Sequence, residues 1–354
     1  MPNPRLIVAL EAIAANSAEV VRRAHARGVA VAGVTKVCCG APPVAEAMLS
    51  GGVDMLADSR LENLARLRRA GFDRVPLMLL RLPMLSRIAE AVSLSDVILV
   101  SELAAMRRLG LAARGRPVQA VLMVDLGDLR EGLWPDQVVQ TAAAAAKLEG
   151  LALAGLGTNL TCYGGIKPTP ANLGQLVALA AEARRATGLD LAIVSGGNTS
   201  SLPLLWEGSL PQGVTHLRVG EGIMLGVETI ARRPLPGLRQ DAFRLVAEVI
   251  EVQKKPSVPL GEISQDAFGH TPHFADRGWE KRAILAIGRQ DCIPEGLLPL
   301  REGLRVLGGS SDHLLLSDQA GLGVGEEVEF SLSYGALLAA MTSPYVHKEF
   351  LPNP

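Results

Sequence analysis

The chain is predicted to be an α/β protein: an N-terminal (β/α)8 TIM barrel followed by a C-terminal mostly-β domain. Two observations carry that expectation. In the first two thirds of the 354 residues, eight apolar, strand-like runs alternate with stretches of helical periodicity, the pattern of parallel βαβ units. After Pro234-Leu-Pro-Gly237 the texture changes: helical pattern nearly disappears and longer strand-like runs are joined by Gly-, Pro- and Ser-rich turns.

The first strand is predicted over Val29–Val37, an apolar run that meets Lys36 at its end and turns over Val37-Cys38-Cys39-Gly40. The next are Asp54–Ser59, Pro76–Leu82, Asp96–Ser101, Gln119–Leu126, Leu151–Asn159, Leu191–Gly196 and Thr215–Val219, with helices such as Glu102–Arg114, Asp136–Leu148 and Ala171–Thr187 between them. Eight is the number that closes a barrel, and residues 1–234 are assigned to it; an open, doubly wound sheet is the alternative. Residues 235–354 are assigned to the β domain, with strands at Phe243–Val252, Arg282–Ile287, Asp312–Leu316 and Glu327–Leu332 and a helix at Gly335–Met341.

Bulk properties narrow the function. Net charge is −1 with no basic or acidic block, which argues against nucleic acid or an anionic membrane as partner. The N-terminus shows no leader pattern, and no window is apolar for long enough to span a bilayer. The cysteines Cys38, Cys39, Cys162 and Cys292 have neither disulfide-framework nor zinc spacing, so no metal is expected and a reducing cytoplasm is the expected location.

In such barrels the chemistry sits at the C-terminal ends of the strands, and chemistry-bearing residues gather there. Lys36 ends the first strand. Asp125 and Arg130 follow the fifth, Asn159 ends the sixth, Ser195-Gly-Gly-Asn-Thr-Ser-Ser201 follows the seventh, and Arg218-Val-Gly-Glu-Gly222 follows the eighth. An amine among apolar neighbours has a lowered pKa and can form a Schiff base with a carbonyl cofactor. A glycine-rich turn lets backbone N–H groups and hydroxyls approach a phosphate. Each piece also has a plain structural reading: a lysine reaching back to water, a helix cap, an ordinary ion pair. Their joint occurrence is more specific than any one of them.

Across nearly its whole length the chain resembles the pyridoxal-phosphate amino acid racemases of the alanine racemase fold, and is most similar to their ornithine racemase-like branch. Val34-Thr-Lys36-Val resembles the cofactor-lysine strand. Asp125-Leu-Gly-Asp-Leu-Arg130-Glu-Gly132 resembles the segment whose arginine bonds near the cofactor's phenolic oxygen. Leu217-Arg-Val-Gly-Glu-Gly-Ile-Met-Leu-Gly226 resembles the segment that meets the pyridine nitrogen and phosphate. Val246–Lys255, Gly261–Gly269, Gly308–His313 and Ser343-Pro-Tyr345-Val resemble parts of the β domain. The resemblance implies pyridoxal 5'-phosphate held by Lys36, Arg130, Asn159, Ser195, Gly197, Asn198, Thr199, Arg218, Gly220, Glu221, Gly222 and Tyr345. It also implies an amino acid as small-molecule substrate, interconversion of its L and D forms by proton transfer at Cα, and a homodimer in which each β domain covers its neighbour's barrel.

Three departures matter. Arg289 stands in Ile287-Gly-Arg-Gln-Asp-Cys292, where the alanine enzymes carry the tyrosine that serves as second base, and arginine cannot act as one. Asn159 replaces a histidine. The strand-eight segment is one residue longer, so either Arg218 or Glu221 could face the pyridine nitrogen, with Glu221 preferred. For the second base the sequence offers Asp291 or Cys292, with His313 and Tyr163 behind them; Cys292 also reads as a small buried apolar residue and Asp291 as a turn residue. Arg289 is then expected to meet the substrate carboxylate, with Ser311, Asp312 and His313 lining the substrate. A basic or medium-length amino acid such as ornithine is the expected substrate, its distal ammonium met by Asp291, Asp312 or Glu131. A decarboxylase of the same fold, a non-catalytic cofactor carrier and a sugar- or nucleotide-phosphate barrel are the competing readings.

Overall fold

A computed structural model describes residues 2–113, 115 and 117–352. Two compact units make up the chain: Leu10–Gln240, and the residues through Ala9 together with those from Asp241 on.

The chain opens with strand β1 (Arg5–Ala9), which belongs to the second unit. The first unit is the predicted barrel. Its strands β2 (Ala30–Val34), β3 (Met55–Asp58), β4 (Leu77–Leu79), β5 (Val97–Val100), β6 (Val118–Val124), β7 (Leu151–Thr158), β8 (Ile193–Ser195) and β9 (His216–Val219) close in chain order, every neighbouring pair parallel. Each lies within its predicted run except that β6 begins one residue early, at Val118. The runs are continuously apolar because both faces of a parallel strand are covered. Ala32, Val34, Ala57, Met78, Val97, Leu99, Val121 and Met123 form a buried cluster, so this is a packed core and not a pore. The helix predicted over Ala171–Thr187 is Pro170–Thr187, started by a reciprocal Thr169–Asn172 capping box and ended at Gly188 with φ 71°. That predicted over Asp136–Leu148 is Val138–Ala145. The one predicted over Glu102–Arg114 is Leu103–Ala112; Arg114 lies outside the described residues.

The second unit is an antiparallel sheet in the order β12 (Leu297–Pro299), β15 (Glu327–Leu332), β10 (Phe243–Pro256), β11 (Trp279–Leu285), β14 (Leu314–Asp318), β13 (Leu304–Gly309). Strand β1 pairs antiparallel with β10 and parallel with β16 (His347–Leu351). The sequence-based boundary is therefore corrected at both ends. Residues 5–9, assigned to the barrel, are a strand of the β unit, with Leu6 and Val8 fully buried and Arg5 making a bidentate pair to Glu327 at 2.6 and 2.7 Å. The barrel unit in turn continues past 234 to Gln240. Leu235 and Leu238 are buried, and Arg239 N donates to Asn16 Oδ1 on the first barrel helix, Leu10–His25.

Candidate active site at the barrel mouth

Lys36 does not extend strand β2. It opens a single 3-10 turn, Lys36–Cys38, and Cys39 closes the turn at φ 53°. The turn is anchored one residue earlier. Thr35 Oγ1 donates to Asp58 Oδ2 at 2.8 Å, and the fully buried Asp58 also accepts from Asn63 Nδ2 and Arg60 N, each at 2.9 Å. Burial raises the Asp58 pKa despite these bonds. The Lys36 side chain is exposed where the mouth opens, yet protein crowds its other sides, and that desolvation pushes the amine below the ordinary lysine range. The Cys162 thiol and the Asp58 carboxylate pull it upward; the charges of Arg130 and Arg218 push it down.

Paired directly with β2, strand β9 turns His216 and Arg218 to one face, both buried. Ser195, at the end of β8, lies between them. Arg218 Nη1 donates to Ser195 Oγ, and Ser195 Oγ is 2.8 Å from His216 Nδ1. The guanidinium can only donate, so the serine oxygen accepts from Arg218 while sharing a second hydrogen bond with His216 Nδ1. Burial, aided by the Arg218 charge, holds the His216 pKa at about 3, so the imidazole is neutral. Arg218 Nη2 donates to Thr158 O at 2.8 Å and to Asn159 Oδ1 at 3.4 Å. Burial lowers Arg218 to about 10, still charged near neutral pH. Among the described residues, no carboxylate pairs with this buried cation.

The Ser195–Ser201 turn is built around Asn198. Its Oδ1 accepts from Ser200 N at 2.8 Å, and its Nδ2 donates to Asn159 Oδ1 at 3.0 Å and Leu160 O at 2.9 Å. The capping reading of this turn and the ligand reading are thus compatible. Gly197 sits at φ 106°, a conformation that needs glycine. Thr199 Oγ1 accepts from Gly222 N at 3.1 Å. This contact also demands glycine, because a Cβ on residue 222 would lie 2.7 Å from Leu202 Cδ1 and 3.2 Å from Thr199 Cγ2. Gly220 caps the short helix Glu221–Leu225. Glu221, preferred from sequence as the partner of a ring nitrogen, begins that helix and pairs with Arg232. The inward position belongs to Arg218, because β9 alternates and Glu221 lies beyond its end.

Arg130 lies in the loop after β6, exposed and bonded to Glu131, with Nη2–Oε1 at 2.6 Å. Asp125 organises that loop by accepting from Gly127 N at 2.8 Å and Leu129 N at 3.2 Å.

Pyridoxal phosphate asks for a reactive amine, hydrogen-bond donors for a phosphate and for a phenolic oxygen, and a partner for a ring nitrogen. The mouth meets each demand. Two polar atoms buried there, Ser200 Oγ and Asn159 Nδ2, have no partner among the described residues, a condition native structures rarely leave unexplained. With a desolvated lysine and an unpaired buried arginine, the residues present fit the group.

In the β unit, both residues expected to supply the second base are buried. Cys292 is 1% exposed, donates to Gly288 O at 3.3 Å, and has its thiol pushed up to about 12 by burial. Asp291 is buried and accepts from Ser343 Oγ at 2.6 Å. A thiol that stays protonated and a carboxylate closed in by its own unit are poorly placed to exchange a proton with a ligand. Arg289 is also committed, to Glu295 by a bidentate pair, to Gly309 O at 2.9 Å and to the Phe268 ring at 5.4 Å. Ser311, Asp312 and His313 form an exposed turn, with Asp312 Oδ1 3.1 Å from Ser311 Oγ and 3.3 Å from His313 Nδ1. Tyr345 is 71% exposed, so it is not a core aromatic.

Sequence reasoning missed four residues of the mouth: Asp58, Asp128, Cys162 and His216. Strand alternation pointed to His216, two residues before Arg218. A lone cysteine and two acidic residues left no comparable signal.

Residues 8–227 match the family of alanine racemase N-terminal domains. Over their full lengths, the chain is 42% identical to the lysine racemase of Thermotoga maritima, covering 100% of both. It is 39% identical to the ornithine racemase of Acetoanaerobium sticklandii, covering 98% of this chain and 99% of that one. In fold it is similar to the alanine racemase of Streptomyces lavendulae, with a TM-score of 0.77 and 21% identity over 100% of this chain and 98% of that one.

Proposed function

The chain belongs to the alanine racemase family, and from that premise we propose that the amino acid it racemises carries a basic side chain. It is a pyridoxal-phosphate-dependent amino acid racemase. The observation that carries the substrate reading is full-length similarity, near 40% identity, to two relatives named for lysine and ornithine.

When bound, the cofactor supplies an electron-withdrawing ring that acidifies the Cα–H bond of an attached amino acid. The chain's own residues do the rest. Lys36 would hold the cofactor aldehyde, and its amine would take or return the Cα proton on one face. Its lowered pKa suits it to this, since it leaves more of the amine unprotonated near neutral pH. The turn of Gly197, Asn198, Thr199 and Ser200, with Gly220 and Gly222, would hold the phosphate, and the family resemblance adds Tyr345 to that set. Arg218, rather than Glu221, meets the pyridine nitrogen. As a donor that stays charged near neutral pH, Arg218 would keep that nitrogen unprotonated and weaken the electron sink the ring supplies. Asn159 and Ser195 act through Arg218, and Arg130 bonds the phenolic oxygen.

Of the acidic residues expected to meet a distal ammonium, Asp312 is the exposed one, whereas Glu131 is paired with Arg130 and Asp291 is closed in. A homodimer and a cytoplasmic location complete the proposal. Among the described residues, no helix is long and apolar enough to cross a membrane.

The test is a racemisation panel with purified protein and added pyridoxal phosphate, read by chiral chromatography. L-Lysine and L-ornithine are expected to turn over at least tenfold faster than L-alanine. Preference for alanine would overturn the substrate reading, and light scattering that finds a monomer would overturn the dimer.

A further inference from the structure

Racemisation needs two proton carriers on opposite faces of Cα, and Lys36 is only one. The residues expected from sequence to be the other are closed into the β unit. We propose that the second carrier comes from the barrel itself and is the thiol of Cys162. This rests on the racemase reading and deepens it.

Cys162 follows β7, which lies three strands from β2 one way round the closed barrel and five the other, so its loop rises across the mouth from Lys36. The thiol is exposed and lies 3.5 Å from Asn198 Nδ2, the amide that also bonds Asn159 Oδ1. Asn159 in turn accepts from Arg218 and keeps a buried Nδ2 with no partner. The thiol is thus tied by one amide to the phosphate turn and to Arg218. It is also near enough to the Lys36 amine to influence it, in the direction that raises the lysine's pKa.

The loop is built to hold it. Asp128, 1% exposed, accepts from the backbone N–H groups of Cys162 at 3.2 Å, Tyr163 at 2.9 Å and Ile166 at 3.2 Å, while its carbonyl accepts from Gly164 N at 2.9 Å. A buried carboxylate devoted to one surface turn fixes where the exposed thiol stands. Asp128 lies in the same Asp125–Gly132 segment that carries Arg130.

The proton balance is simple. In one direction unprotonated Lys36 Nζ takes the Cα proton: the C–H bond breaks, its electron pair stays with carbon, and an N–H bond forms. The S–H bond of Cys162 then breaks, its pair stays on sulfur, and the proton forms a new C–H bond on the opposite face. For the other enantiomer the thiolate takes the proton and the lysine ammonium returns one. Proton exchange with water at the open mouth resets both groups. Thiols ionise nearer neutral pH than phenols, so cysteine can replace a tyrosine in this role.

The experiment compares wild type, Cys162→Ala, Cys162→Ser and Tyr163→Phe. Cα deuterium exchange from each enantiomer of ornithine in D2O is read together with the visible absorbance of the Lys36-bound cofactor. Cys162→Ala is expected to keep that absorbance and to lose exchange from one enantiomer by at least a hundredfold, within the range for a general acid or base, while exchange from the other persists. An equal defect for both enantiomers, no defect, or a one-sided defect in Tyr163→Phe instead overturns the proposal. A second readout needs no turnover: iodoacetamide alkylation of Cys162, followed by mass spectrometry, is expected to slow at least tenfold when pyridoxal phosphate is added to the cofactor-free protein. Equal rates would overturn it. If wild type itself neither binds the cofactor nor racemises, the racemase reading fails; if wild type is active and Cys162→Ala is symmetric, only the assignment of Cys162 fails.

Discussion

Replacing Ser195 with alanine removes one hydroxyl that serves two buried groups. The His216 ring loses the one hydrogen bond it makes among the described residues, because its Nε2 has no partner there. Arg218 loses one of three acceptors but keeps Thr158 O and Asn159 Oδ1. Leaving the imidazole unsatisfied costs about 1–3 kcal/mol, and a hydrogen bond to a charged group is worth about 1.5–3 kcal/mol. Since Arg218 retains two partners, the second figure applies at its lower end, and the sum is about 3 kcal/mol. The site has little room to relax, as a Cβ on Gly157 would already lie 3.2 Å from Ser195 Cβ. Urea unfolding of the cofactor-free Ser195→Ala protein, followed by circular dichroism, is expected to show this loss with an unchanged m-value. A loss under about 0.5 kcal/mol, below the range for even one buried hydrogen bond, would mean that the Ser195 hydroxyl does not bridge these groups.

Three further outcomes follow from the same geometry. His216 has a pKa of about 3 in the fold against 6.5 ordinarily, so the unfolded chain binds the extra proton between those values. Its contribution is present above about pH 6.5 and is lost as pH falls toward 3, by at most about 1.4 kcal/mol per pH unit; His216→Asn should flatten the acid limb of the stability curve, and an unchanged limb would contradict the neutral buried state. The Asp58 carboxylate raises the pKa of Lys36, so Asp58→Asn should lower the amine further, measured by the pH dependence of reductive methylation at Lys36 in cofactor-free protein; an upward shift would contradict it. Cys292, with its thiol near 12 and 1% exposure, should stay unmodified by Ellman's reagent in the native protein while Cys162 reacts, and Cys292→Ala should keep deuterium exchange from both enantiomers; a one-sided loss would restore Cys292 as the second base.

The barrel was legible because parallel strands covered on both faces read as continuous apolar runs, and Lys36 because a charged residue at the end of such a run stands out. The Ser195–Ser201 turn was legible through its glycines, one of which takes a positive φ. What stayed hidden depends on distant pairing or on burial. Strand β1 is five residues long and joins β10 and β16 more than 230 residues away, a register that no local pattern encodes. Asp291 and Cys292 looked available because they sit near Arg289 in sequence, but the turn at Gly288 folds both side chains inward. From sequence Glu221 is preferred over Arg218, because the end of β9 is not marked there; in the fold Glu221 lies past that end. Cys162 carries no pattern in sequence; its place is set by Asp128, more than 30 residues earlier, through backbone bonds.

The most direct measurement is borohydride reduction of the protein with pyridoxal phosphate, followed by peptide mass mapping. The reduced cofactor is expected on Lys36, with the visible absorbance lost in Lys36→Ala. Label on a different lysine, or undiminished absorbance in Lys36→Ala, would contradict the account.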